Sequence, residues 1–454
     1  MTQPLVLHAA EETLEVVHTR RHAAYPAYKP SGAEWLGDVP EHWDVKRLKY
    51  VASINDEALP ETTDPTYEFD YVDIGNVNAI YGIVERERMI FEEAPSRARR
   101  VVRKGDTIVS TVRTYLRAVA SVREAADDLI VSTGFAVVRP HGIDLAFLSF
   151  ALRESHFIET VVSKSTGVSY PAINASEVGR ICIPVPELEE QQAIARFLDE
   201  RTQKIDDLIE AKRSLLDLLK EKRQAVITHA VTRGLDLTAK LKPSGVEWLG
   251  DVPEHWDVKR LKWDSAVFRG ASPRPIDNPI YFDDDGEYAW VRIADVTAAG
   301  TYLRETKQRL SDLGASLSVK LAPGDLFLSI AGSVGKPCIA KIKCCIHDGF
   351  VYFPRLSCER KFLYYIFASG EPYKGLGKFG TQLNLNTDTV GSISMTFPPL
   401  EEQQQIVRSL EEETEKIDDL ESVVREAIET LELLRAGIIS AAVTGKIDVR
   451  EEGV

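Results

Sequence analysis

The sequence predicts an α+β protein made by internal duplication, with two globular domains separated by two long helices that pair as an antiparallel coiled coil. Three observations predict it. The segment 29–50, KPSGAEWLGDVPEHWDVKRLKY, returns as 242–263, KPSGVEWLGDVPEHWDVKRLKW, identical at 20 of 22 positions at an offset of 213. A second set of matches follows at an offset of 212: Leu188-Glu189-Glu190-Gln191-Gln192 with Leu400-Glu401-Glu402-Gln403-Gln404, Lys204-Ile205-Asp206-Asp207-Leu208 with Lys416-Ile417-Asp418-Asp419-Leu420, and Ala230-Val231-Thr232 with Ala442-Val443-Thr444. Each half also closes on a proline-free stretch with a seven-residue apolar period. Two copies are too few for a solenoid, so the unit is duplicated with approximate two-fold symmetry. Between the anchors the halves barely resemble each other: the frame repeats and the filling does not.

In chain order, residues 1–186 form the first domain, with a leader at 1–28 to which the sequence gives no role, and 187–235 the first long helix. Residues 236–398 form the second domain, and 399–454 the second helix and tail. The repeated segment joins a Pro30-Ser31-Gly32 turn to Trp35, Leu36, Val39, Pro40 and Trp43, a pattern that reads as a loop clamped on a core. Strands are predicted at 67–77, 103–112 and 129–139, with counterparts at 288–296, 324–330 and 346–354. Lys104-Gly105-Asp106 and Pro323-Gly324-Asp325 read as one tight turn opening the same strand in each domain. Short helices follow at 145–160 and 358–368.

Pro184 and Pro186, and likewise Pro398 and Pro399, stand before an acidic first turn, which is a helix start signal. In the second copy Leu410, Ile417, Val424, Leu431 and Ile438 recur every seven residues, with Leu420, Ala427, Leu434 and Ala441 as the companion row. The first copy follows with Leu198, Ile205, Leu208, Leu215, Leu219 and Val226, interrupted by Lys212 and Lys222. A helix of ~40 residues spans about 60 Å, enough to hold two domains apart.

A chain of 454 residues has room for two cores, and 44% hydrophobic with 28% charged residues is an ordinary globular composition. No apolar run is long enough for a membrane span, and the first residues lack a signal-peptide pattern, so a cytoplasmic protein is expected. The five cysteines, Cys182, Cys338, Cys344, Cys345 and Cys358, form no disulfide framework. The net charge of −15 argues at first against a polyanionic partner, but residues 401–454 and 187–230 together hold −11 of it. In contrast, residues 86–117 carry nine bases against four acids.

No catalytic pattern emerges. Asn278-Pro279-Ile280-Tyr281 has Ile280 where an amino-methyltransferase motif needs a second proline, so it reads as a turn before a strand. Cys338, Cys344, Cys345 and His347 lack the paired hooks of a zinc site, and the surroundings of Cys344 read as a buried strand. Residues 329–336 do not form a nucleotide P-loop, because Ile330 replaces the leading glycine and Pro337 the Ser/Thr. A protein that acts by binding is expected.

The order of parts resembles the specificity subunit of type I restriction–modification systems over essentially the whole chain. The likeness rests on the doubled KPSG-EWLGDVPEHW segment, the doubled EEQQ helix start and the closing Ala441-Ala442-Val443-Thr444-Gly445-Lys446-Ile447. It implies two target recognition domains, each reading one half of a split double-stranded DNA sequence, and paired helices that act as a ruler. It also implies docking of two modification subunits, with restriction subunits joining outside. Adenine methylation would use the partners' S-adenosylmethionine, and cleavage their ATP and Mg2+. This chain would hold no cofactor or metal. Longer helices should lengthen the unread spacer, and a changed domain should change one half-site.

In that context the basic stretch of the first domain supplies candidate DNA contacts at Arg97, Arg100, Arg113, Thr114, Tyr115 and Arg117. The polar turn before the first helix adds Lys164, Ser165, Thr166, Ser169 and Tyr170. In the second domain the candidates are Arg292, Ser333 and Lys336, then Lys378, Thr381, Gln382 and Asn384, of which Gln382 and Asn384 could pair with adenine. A solvated face or a capped loop explains any one of them singly. A coiled-coil scaffold that never touches DNA explains the helices equally well, but not the divergent fillings with basic, polar loops.

Overall fold

A computed structural model describes residues 23–78, 81–123, 128–374 and 385–450. The chain forms two compact units, one of residues 1–212 with 425–454 and the other of residues 213–424. Each unit therefore holds one globular domain, the first half of the helix that follows it and the second half of the other long helix.

In the first unit, one four-stranded sheet runs Val119–Ser121, Thr107–Ser110, Phe135–Pro140, Ala52–Ile54, and a second runs Glu87–Ile90, Glu68–Val72, Leu129–Ser132, Ala98–Val101. The predicted strand 129–139 is thus two strands in different sheets. The chain breaks at Gly134, where an added Cβ would lie 2.6 Å from Ile74 Cδ1. The predicted helix 145–160 is likewise two, Leu145–Arg153 and Ser155–Ser163, because Glu154 leaves the helical region and caps the second with its carboxylate.

The second unit repeats this plan despite the divergent sequence. A five-stranded sheet runs Phe268–Arg269, Phe350–Tyr352, Leu326–Ser329, Pro337–Ala340, Tyr302–Leu303, and a four-stranded one runs Gln308–Leu310, Tyr288–Val291, Cys344–Ile346, Val319–Leu321. Each domain has a central parallel pair, Leu129–Ser132 with Glu68–Val72 and Cys344–Ile346 with Tyr288–Val291, and the second also pairs Tyr302–Leu303 parallel with Pro337–Ala340. Where strand was expected to 296, the chain turns at Arg292 into the helix Ile293–Ala299.

The long helices are Leu188–Arg233 and Leu400–Val443. Both stop at a glycine with positive φ, Gly234 at 75° and Gly445 at 72°. In the first unit Ile194, Leu198, Ile205 and Ile209 pack with Ile438, Ile439 and Ala441. Arg435 grips Asp206 through Nε–Oδ1 at 2.8 Å and Nη2–Oδ2 at 3.2 Å. In the second unit Ile227, Ala230 and Val231 share a core with Ile406, Val407 and Leu410, and Arg223 pairs with Asp418. The helices run antiparallel in both. In the second helix Leu410, Ile417, Val424 and Ile438 are buried as the heptad predicts, but Leu420 is 44% exposed. In the first, Leu208 and Leu215 face outward, and the seam runs one residue later through Ile209 and Leu216. Three-to-four spacing keeps a helix stripe in phase only if the step is chosen at each turn, and two adjacent apolar residues disguise that choice.

The repeated segment is a clasp in which several bonds recur in each copy, although Trp256 Nε1 donates to Glu402 at 3.0 Å while the buried Trp43 Nε1 has no hydrogen-bond partner. Trp35 Nε1 donates to the carbonyl of Cys182 at 3.0 Å and Trp248 Nε1 to that of Ser394 at 3.1 Å. His42 meets Glu190 at 2.9 Å and His255 meets Glu402 at 2.8 Å. The doubled glutamine has one task as well. Gln191 Nε2 donates to the carbonyl of Pro186 while its Oε1 accepts the amide of Asp144, and Gln403 does the same with Pro398 and Glu359. Each glutamine ties the start of a long helix to the start of a domain helix.

Candidate nucleic-acid interface

The first candidate loop, residues 111–117, closes the hairpin between Thr107–Ser110 and Val119–Ser121. Its middle is a single 3-10 turn, Thr114–Leu116, flanked by Arg113 (φ 53°, ψ 45°) and Arg117 (φ 54°, ψ 31°). A left-handed conformation disfavours any residue with a Cβ, and such positions gather at functional sites. The turn leaves Tyr115 and Leu116 exposed, at 53% and 40%.

The polar turn 164–173 is fastened to this loop. The amide of Arg113 donates to the carbonyl of Pro171 at 2.9 Å, and that of Ile173 to Thr111 at 2.9 Å. The Arg113 guanidinium lies 5.2 Å from the centre of the Tyr170 ring. Lys164, Thr166, Ser169 and Tyr170 are exposed. The structure therefore brings nine of the eleven candidates of the first domain onto one surface, but not all as contacts. Thr114 is buried at 1%, and its hydroxyl donates to Ser165 Oγ at 2.8 Å, while Ser165 donates to the carbonyl of Val161. These two residues brace the loops instead of facing outward. Arg117 pairs with Glu159.

Arg97 and Arg100 belong to the neighbouring sheet. Arg97 pairs with Asp73 at 2.7 Å and donates to Tyr71 Oη at 3.3 Å. Arg100 lies half-buried in the strand Ala98–Val101. Sequence reasoning missed Asp73. The signal was available in the matching Val72-Asp73-Ile74 and Val291-Arg292-Ile293, which place an acid in one domain where the other has a base.

In the second domain the loop 330–336 occupies the same hairpin connection. The amide of Ile330 donates to Gly349 at 2.8 Å, as that of Thr111 does to Gly134 at 2.7 Å. The loop is held by Ser329 Oγ, which accepts the amide of Lys336 at 3.0 Å. At Gly332 a Cβ would meet Ile293 at 3.2 Å, and Thr297 Oγ1 lies 3.4 Å from Ser333 Oγ, so the loop packs on the helix that Arg292 opens. Ser333, Lys336 and Arg292 are exposed, and Arg292 donates to Gln308. Lys378, Thr381, Gln382 and Asn384 lie outside the described residues.

The arrangement offers basic and hydroxyl side chains on two topologically equivalent surfaces, joined in the first by the exposed rings of Tyr115 and Tyr170, which suits a polyanion with stacked bases. Cys344 and Cys345 lie on a buried strand, and burial pushes the Cys345 thiol up to about 11. Among the described residues no group of three His, Cys, Asp or Glu side chains could hold a metal ion.

A family model described as type I restriction modification DNA specificity domain matches residues 40–217 and again 253–430. The chain is 25% identical over 439 residues to the putative type I restriction enzyme MjaX specificity subunit of Methanocaldococcus jannaschii, covering 91% of this chain and 96% of that one. It is 24% identical over 328 residues to the type I restriction enzyme EcoKI specificity subunit of Escherichia coli K12, covering 68% of each. A solved structure described as the structural basis underlying complex assembly and conformational transition of the type I R-M system aligns with a TM-score of 0.70 at 25% identity. It covers 89% of this chain and 98% of its own.

Proposed function

This chain belongs to the type I restriction modification DNA specificity family, and from that premise we propose that its two domains each read one half of a split, asymmetric DNA target. The protein is a non-catalytic DNA-recognition subunit that assembles with the other subunits of a restriction–modification complex. Two modification subunits would dock on the repeated frame and restriction subunits outside them. The partners would supply S-adenosylmethionine for adenine methylation, and ATP and Mg2+ for cleavage. No described helix is long and apolar enough to cross a membrane, and a cytoplasmic location follows from work on cellular and invading DNA.

One observation carries the reading: the bonds of Trp35 and Gln191 recur at Trp248 and Gln403, while the loops 111–117 and 330–336, on the same hairpin, differ in every side chain that faces outward. Identical frames suit identical partners, and different loops suit different bases. Recognition domains of residues 1–186 and 236–398 would use Arg113, Tyr115, Lys164, Thr166, Ser169 and Tyr170 on one side. On the other they would use Arg292, Ser333 and Lys336, with Lys378, Thr381, Gln382 and Asn384. Arg97, Arg100 and Arg117 would lie on its margin.

Methylation mapping tests this. The chain is co-expressed with the modification subunit of its own system in a host without adenine methylation, and the DNA is sequenced for modified adenines. The expected result is one asymmetric motif of two short blocks around an unread spacer. A stable complex that leaves no motif refutes DNA reading, and a single contiguous block refutes the split target.

A further inference from the structure

The clasp explains why Trp43, Leu48 and their repeats are kept, but not the exposed end of the same segment. Lys46-Arg47-Leu48-Lys49-Tyr50 and Lys259-Arg260-Leu261-Lys262-Trp263 form the same strand and 3-10 turn, with only the leucine buried. Tyr50 is 63% and Trp263 67% exposed, each beside a cation of its own turn: Lys49 Nζ lies 5.1 Å from the Tyr50 ring centre and Arg260 Cζ 6.0 Å from that of Trp263. Lys46 is paired with Asp44 and Lys259 with Asp264, whereas Arg47, Lys49, Arg260 and Lys262 make no ion pair among the described residues. Each turn therefore presents two uncompensated cations and an aromatic face, in a chain whose carboxylates outnumber its bases 70 to 55.

Position decides what these groups can meet. The amide of Lys49 donates to the carbonyl of Gly179 at 2.9 Å, at the end of the helix Ala175–Val178, through which the chain leaves the candidate loop 164–173. In the second unit the amide of Leu261 donates to Ile393 at 3.0 Å, and Gly391 lies against Lys262 at the end of the helix Thr387–Ser392. The first turn is thus fastened to the far end of a four-residue helix, about 6 Å long, that leads out of that loop.

We propose that these two repeated turns, Arg47/Lys49/Tyr50 and Arg260/Lys262/Trp263, are sequence-independent clamps on the DNA phosphate backbone, one beside each recognition surface. The inference rests on the DNA-reading function proposed above. The feature of DNA that stays the same at two different half-sites is the sugar–phosphate backbone, and a contact that must serve both is free to stay identical while the base-reading loops diverge. Guanidinium and ammonium groups neutralise phosphates, and the aromatic face packs on the sugar. The acidic helices cannot do this, because carboxylates repel the duplex.

The test measures duplex binding by the complex of this chain with its modification subunits, as a function of salt, on a duplex with the mapped target and on one without it. Replacing Arg47, Lys49, Arg260 and Lys262 together by Gln keeps most of the side-chain length and removes four charges. Each lost phosphate contact lowers the slope of log K against log salt by roughly 0.9, so a fall of about 3 to 4 is expected, and about 2 when one turn alone is changed. Both duplexes should weaken by the same factor, leaving the preference for target intact. Exchanging each Arg for Lys and each Lys for Arg should restore the slope. An unchanged slope in an intact complex overturns the proposal. So does a variant that no longer binds its modification subunits although its melting temperature is unchanged, since the turns would then be protein contacts. A wild-type complex without preference for any duplex refutes the DNA-reading function itself, a separate result read before any variant.

Discussion

Arg113 holds a left-handed backbone at the tip of the first domain's loop, with its guanidinium over Tyr170. A non-glycine residue in that region costs about 1–2 kcal/mol, so the position stores strain that its side chain must justify. Arg113→Ala should cut binding of the target by roughly 10- to 100-fold, the ~1–3 kcal/mol of one good base contact, without moving the melting temperature. Arg113→Gly should lose the same affinity and raise the melting temperature, because glycine tolerates the conformation. Duplex binding and thermal melts of both variants decide it, and equal affinity of Arg113→Ala and wild type would remove Arg113 from the interface. A second residue makes stability depend on pH. His347 Nδ1 accepts the amide of Gly349 at 2.8 Å, a bond open only to the neutral ring. Burial holds its pKa below the ordinary 6.5, with Asp348 opposing. When a histidine's folded pKa is depressed, the unfolded chain takes the proton first as pH falls. The stability given by the neutral ring is complete above 6.5 and is lost as pH falls from there through the folded value. The urea midpoint of wild type relative to His347→Gln should be level above about pH 6.5 and decline below it.

At the scale of elements, the pairing of Arg435 with Asp206 joins the long helices within the first unit, and its surroundings set its worth. Arg435 is 10% exposed in its side chain and Asp206 34%. Arg153, nearly buried nearby, has its guanidinium pushed down to about 10 by burial first, then by the charges of Arg435 and Arg123. Asp206 shares the role of counter-charge with Asp199, which pairs with Arg123 at 2.7 Å, and Asp206 is the carboxylate that holds Arg435. Asp206→Ala should therefore destabilise the protein by roughly 2–3 kcal/mol, less than a fully buried pair because water reaches the carboxylate. Arg435→Met should cost less, since it removes a repelling cation and fills the seam. Urea titrations that rank the two variants in the opposite order would exclude this account. The elements also show what a sequence discloses. The prolines, acidic first turns and heptads of the long helices were legible because each is a local signal. The seam of the first helix was misplaced at Leu208 and Leu215, since Leu208-Ile209 and Leu215-Leu216 offer two phases and only packing selects Ile209 and Leu216. The split of 129–139 at Gly134 was hidden because its cause, the Ile74 side chain, lies far away in the chain. The candidate site was legible as residue chemistry but not as roles. Nothing local distinguishes an exposed Thr166 from Thr114, which turns inward to Ser165.

At the scale of the molecule, the duplication is deeper than the sequence shows. Domains with little sequence in common share the central parallel strand pair, the hairpin that carries the candidate loop and the short helix that returns the chain to the frame. The frame receives each filling through the same few bonds. The amides of Leu48 and Leu261 donate to Ile181 and Ile393, the indoles of Trp35 and Trp248 to Cys182 and Ser394, and Gln191 and Gln403 tie down the domain helices. Most of these bonds go to backbone atoms, which any sequence provides, so the frame is indifferent to what it holds. A filling should then be portable. If residues 264–391 are replaced by residues 51–179, the chain carries the first domain's reading surface in both places while every frame bond is preserved. The hybrid should assemble with its modification subunits, and its methylated motif should contain the first half-site twice and lose the second. Mapping modified adenines in the host described above reads this directly. A hybrid that assembles yet still methylates the second half-site would mean that the frame, not the filling, reads bases. One that methylates only the first block would mean that a filling reads DNA only in its native place.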